Sequence, residues 1–163
     1  SIGIALSSYA GQNMGAGKIE RAKKGFRSAA IIVIAFSLIM LPVMYFGGEY
    51  IMRMFTKKED IEVVVTGVNA IRITCFFYSA LGMIFITRNF LNGTGDVNIT
   101  LAMGATEVIG RVALASVMVN FVSFYGIWWA TGLTWTLTCM VGIARYLSGR
   151  WKTKTIVSRQ ALE

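Results

Sequence analysis

Residues 28–48 read SAAIIVIAFSLIMLPVMYFGG, a run of 21 residues without a charge. At a rise of about 1.5 Å per residue, a helix of that length covers about 31 Å, the thickness of a bilayer's hydrocarbon core. Pro42 lies inside the run and is expected to kink it by removing one backbone hydrogen bond. In front stand the glycine-rich stretch AGQNMGAG, residues 10–17, and a basic segment with Lys18, Arg21, Lys23, Lys24 and Arg27. This order reads as a cytosolic loop feeding a membrane-spanning helix.

Working outward, three more spans follow, at residues 63–87, 97–120 and 127–147. The six residues between the last two suffice only for a helical hairpin turn. Residues 1–9 are neutral, lack an initiating Met and read as the last turns of a preceding span, so the chain is expected to be a fragment. Residues 148–163 form a cytosolic tail. The expected class is an all-α integral membrane protein, a polytopic helical bundle forming one lobe.

Charge placement sets an orientation. One side holds Lys18, Arg21, Lys23, Lys24, Arg27, Arg88, Arg145, Arg150, Lys152, Lys154 and Arg159, and the other only Arg53, Lys57 and Lys58. Under the positive-inside rule the first side is cytosolic. Aromatic residues mark both boundaries, with Tyr45, Phe46, Tyr50, Phe124, Tyr125, Trp128 and Trp129 outside and Tyr146 and Trp151 inside.

Hydrophobic residues make up 55% of the chain and charged ones 15%, with mean hydropathy +0.61, which suits lipid rather than water as the solvent. The net charge of +8 comes from short basic gaps between apolar runs, so anionic lipid is the expected partner and nucleic acid is not. Histidine is absent, which removes His-ligated zinc and Ser-His-Asp hydrolysis, and no enzyme site can be assembled. Cys75 and Cys139 lie far apart in apolar segments and read as buried thiols. No cofactor is expected.

Within the spans, Glu107 is the one deeply placed carboxylate, ten residues and about 15 Å beyond Val97. Arg111 lies at i+4, on the favourable side for a helical ion pair. Two roles are open: a contact for a proton, a cation or substrate, or a static pair that pins the helix to a neighbour. Arg72 is expected near the outer interface, snorkelling to headgroups, as a structural or gating residue like Pro42. Small residues recur four apart as Ala102, Thr106, Gly110 and as Ala130, Thr134, Thr138, Gly142, which points to close helix packing. Ile19, Ala22 and Phe26 share a helical face amid basic residues, as in a short helix lying on headgroups before the first full span; a solvated charge run is the alternative. The P-loop pattern fails at residues 12–19, because Gln12 and Ile19 replace the required glycine and hydroxyl.

The stretch Gly11-Gln-Asn-Met-Gly-Ala-Gly-Lys18 with Glu20, Arg21 and Ala22, the segment Ala70-Ile-Arg-Ile73, and Phe90-Leu-Asn-Gly-Thr-Gly-Asp96 together resemble the multidrug and toxic compound extrusion (MATE) transporters. Asn92 stands where that family usually has Arg. The motif residues are Gly11, Gln12, Asn13, Gly15, Gly17, Gly93, Gly95 and Asp96. The resemblance implies the end of helix eight and helices nine to twelve of a twelve-helix fold whose two lobes alternate access to a central cavity. It further implies a partner N-terminal lobe of six helices, coupling to H⁺ or Na⁺, export of small organic cations or amphipathic drugs, and a place in the cell membrane, as in bacteria. A related alternative is a flippase for lipid-linked sugars, and a more distant one a non-transporting anchor or assembly subunit. Some members carry a coupling acid in the middle of helix ten, where this chain has the apolar Leu81.

Overall fold

Lipid offers no hydrogen-bond partners, so each segment must close its backbone pairing internally. The computed structural model describes residues 1–57, 60–122 and 124–153, and among these every regular element is helical. The helices are α1 (Ile2–Gly15), α2 (Ile19–Phe55), α3 (Ile61–Thr74), α4 (Tyr78–Gly93), α5 (Val97–Val122) and α6 (Gly126–Leu147). A 3₁₀ turn, Cys75–Phe77, joins α3 to α4 in one 33-residue span, and a second, Arg150–Thr153, follows α6. Four helical stretches are long and apolar enough to cross a membrane, which makes this a multi-pass membrane protein. Lys58, Glu59, Lys154, Arg159 and most of the expected tail lie outside the described residues.

Three expectations change. The glycine-rich stretch is mostly helix, since α1 continues through Gly15 and the chain reverses only at Ala16–Lys18. The expected headgroup-lying helix is the start of the 37-residue α2, and the chain stays helical on both sides of Pro42. Ala22 and Phe26 are buried in protein rather than turned to headgroups. The reason is tertiary: Phe26 stacks on Tyr146 of α6 at 4.0 Å and meets Phe90 of α4 at 5.0 Å. Trp151 completes this knot instead of anchoring in the interface. It is buried against Phe90 and Tyr146, and its indole N–H donates to the Tyr146 carbonyl at 2.8 Å.

The knot marks the basic end of the bundle. The α4–α5 and α1–α2 turns meet here, and two glycines of the motifs end their helices in the same way. Gly17 (φ 69°) and Gly95 (φ 86°) adopt the left-handed conformation that L side chains resist. At the first, Lys18 N–H reaches Asn13 O (2.7 Å) and Gly17 N–H reaches Met14 O (3.0 Å); at the second, Asp96 N–H reaches Leu91 O (2.9 Å) and Gly95 N–H reaches Asn92 O (3.0 Å). Both are Schellman caps, which pair the carbonyls a helix end leaves open.

Gly93 allows α4 to touch α1, because a Cβ there would overlap the Ser7 main chain, whereas one on Gly47 in α2 would meet nothing within 4 Å. Gly93→Ala is therefore expected to lower the stability of the full-length protein by about 1–3 kcal/mol. Gly47→Ala should leave it unchanged or raise it slightly. Thermal unfolding of both variants in detergent checks the contrast, and equal melting temperatures would refute it.

Candidate functional site

Two groupings bring acids and arginines together across helices. The first sits at the basic end. Asp96, just past the Gly95 cap, is 2% exposed, and Arg145 near the end of α6 grips both its oxygens through Nε (2.6 Å) and one terminal nitrogen (3.2 Å). Bidentate guanidinium pairing is the strong form of this interaction. Arg145 was expected only as one of the inner-side basic residues. Its partner lies 49 positions away, a separation from which no local spacing rule reads a pair.

The second grouping lies deeper. Arg111 donates to Glu107 at 3.2 Å, so the expected i+4 pair is present. A third member comes from another helix. Arg88, expected beyond the end of its span, lies within α4 and donates to the other oxygen of Glu107 at 3.1 Å. The acid thus bridges α4 and α5. Side-chain exposure is 23% for Glu107, 29% for Arg88 and 49% for Arg111, a gradient that opens toward Arg111.

Arg72 contacts the neighbouring helix α2. Its Nε donates to the Tyr45 carbonyl at 3.3 Å and its guanidinium lies 5.5 Å from the centre of the Tyr45 ring, a cation–π contact that ties α3 to α2. Pro42 lies three residues earlier on α2, exposed. Of the glycine-loop residues, Gln12 accepts from Ala16 N–H through its carbonyl, Asn13 donates from its side chain to the Tyr9 carbonyl at 2.8 Å, and Gly15 is the last residue of α1. A Cβ on Gly11 would stand 3.0 Å from the Gly93 carbonyl oxygen, so the two motifs pack against each other. In the first turns of α2, Lys23 donates to Glu20.

The small-residue stripes pack as expected on α6, where Ala130, Thr134, Thr138 and Gly142 are buried. On α5 the match is partial: Gly110 faces Thr134, Ala102 is exposed, and Met103 is the fully buried residue. Leu81 lines an apolar cavity of about 540 Å³ between α2, α4 and α6, with Phe36, Met40, Tyr78 and Trp135. No charged residue lines it. Cys75 and Cys139 are free thiols, and among the described residues no cluster of His, Cys, Asp or Glu is arranged to hold a metal.

The family model described as MatE matches residues 1–125. A curated relative, "Probable multidrug resistance protein YpnP" of Bacillus subtilis (strain 168), is 24% identical over 159 residues, which cover 97% of this chain and 35% of that protein. The chain therefore spans about a third of that relative's length. No solved structure matches.

Removing one partner of a buried ion pair leaves the other charge uncompensated. Asp96→Asn is therefore expected to cost about 3 kcal/mol in the full-length protein, the low end for such pairs because Arg145 keeps some exposure. Arg145→Met alone should also destabilise, and the double change should cost less than the two single changes together. A double-mutant cycle from denaturation in detergent measures this coupling, and additive losses would show that the pair contributes none.

Proposed function

The chain belongs to the MatE family, and from that premise we propose that it is one lobe of a secondary active antiporter that exports drugs or organic cations by alternating access, coupled to H⁺ or Na⁺. The observation that carries this reading is the exposed charge at membrane depth. Arg111 lies 14 residues beyond Val97, about 21 Å along α5, and is half exposed. An arginine turned to lipid near a helix centre costs about 2.5–3.5 kcal/mol on insertion scales, so such residues face a water-filled cavity or another part of the protein. This flank of α5 is the wall of a transport path, and a second lobe of six helices supplies the opposite wall.

The basic end is cytosolic on this reading, and the protein resides in a cell membrane of bacterial type. The apolar cavity beside Leu81 gives no carboxylate for ion coupling, so on this reading the coupling acid is Glu107 or belongs to the N-terminal lobe. The relative's printed name, a probable multidrug resistance protein, supports the substrate class. A lipid-linked sugar flippase is the second reading. Arg88 favours it, since it adds a third arginine to Arg72 and Arg111 within the spans.

Efflux of ethidium from vesicles carrying the full-length protein, under an imposed pH gradient and then an Na⁺ gradient, tests the proposal. Export that follows one gradient is expected, and indifference to both would refute it. Glu107→Gln should lower export at least about tenfold, the scale on which loss of one proton-transfer group is felt. Unchanged export across the neutral pH range would remove Glu107 from coupling.

A further inference from the structure

Glu107 has two cationic partners and one negative charge, so the cluster keeps a positive charge in excess. Arg88 and Arg111 each give the acid a single nitrogen. A guanidinium carries five N–H groups and offers a planar fork to carboxylates and phosphates, so most of this donor capacity is unspent. The Nε of Arg88 is buried with no hydrogen-bond partner, and Arg111 is half exposed beside it. Among the described residues the other ion pairs, Glu20–Lys23, Glu49–Arg53 and Asp96–Arg145, involve neither arginine.

We infer that Arg88, Glu107 and Arg111 form a binding site for an anionic group, the carboxylate or phosphate of an amphipathic molecule, which takes the two guanidiniums in competition with Glu107. The inference rests on the reading that this flank of α5 lines a transport path. A cationic substrate would pass this cluster without binding to it, whereas an anion receives the unpaired donors, and charge-assisted hydrogen bonds are the strong ones. Glu107 occupies the donors while the site is empty and keeps the arginines from standing uncompensated. The ligand's apolar part lies along α5, whose Val108 and Val112 are exposed next to the cluster.

The test uses the full-length protein in nanodiscs of phosphatidylcholine, with dansylundecanoate as the anionic probe and its methyl ester as the uncharged control. Arg111→Gln should weaken binding of the acid about tenfold, equivalent to about 1.4 kcal/mol, and leave the ester unchanged. Arg111→Lys should retain most of the affinity. Glu107→Gln should tighten binding of the acid, because it removes the internal competitor; a purely structural cluster would loosen instead. Should Arg111→Gln fail to fold, Glu107→Gln decides alone. An unchanged acid-to-ester ratio in both variants overturns the inference.

Displacement of the probe by phosphatidylglycerol in the disc identifies a lipid headgroup as the ligand, and displacement by monooctyl phosphate alone identifies a soluble amphiphile. Displacement by neither overturns the site. Tight binding in Glu107→Gln together with no gradient-driven export by the wild-type protein would refute the transport reading and leave the site standing.

Discussion

The pair between Asp96 and Arg145 fixes the geometry on which the other polar contacts depend. Within lipid the hydrophobic effect does not drive helices together, so association rests on packing and on polar contacts that would otherwise go unsatisfied. Asp96 stands at the Gly95 cap, where α4 ends and α5 begins, and Arg145 is in the last turns of α6. One bidentate contact therefore joins three helices at a single end. The stacked rings of Phe26, Tyr146 and Trp151 close the same end from the side of α2. With its start fixed and its packing chiefly against α6, α5 leaves Arg111 half exposed and Glu107 partly covered by Arg88 of α4.

The two acid–arginine groupings then differ in kind. At Asp96 the carboxylate is buried and both oxygens go to one arginine, so pairing and desolvation reinforce one arrangement. At Glu107 each oxygen goes to a different arginine through a single contact, and all three side chains keep exposure. Single contacts in a wetter setting exchange with less loss, because an incoming group replaces one hydrogen bond rather than a fork. The same residue types thus build a buried fork at one end and a pair of single contacts farther along.

What could be read in the sequence follows the range of each interaction. Long apolar runs marked the spans, since lipid thickness acts on each segment alone. The i+4 pair of Glu107 and Arg111 was legible from helical period. Arg145 with Asp96, and Arg88 with Glu107, were not, because each pair joins different helices and no spacing announces it. Arg88 was also displaced by a boundary: its helix continues to Gly93, several residues beyond the expected end at residue 87. The glycine motifs looked like loops by composition, yet only Gly17 and Gly95 need the left-handed conformation, and the residues before them extend the helices. The face of Ile19, Ala22 and Phe26 had the right period, but its partners, Phe90 and Tyr146, were invisible until the helices came together.

The far half of the bundle is joined to this fixed end through two irregularities. Pro42 removes a hydrogen bond from α2, and the 3₁₀ turn Cys75–Phe77 interrupts the regular ladder of the second span. They lie side by side, since Tyr45 meets Phe76 at 5.9 Å and Arg72 binds the Tyr45 carbonyl. Beyond them, Ile71 packs near Gly48 and Met52 near Gly67, so the far parts of α2 and α3 form one unit. A helix bends most easily where its hydrogen-bond ladder is broken. Strain placed on the far unit would therefore concentrate at Pro42 and Cys75–Phe77 before it reached the end held by Asp96 and Arg145.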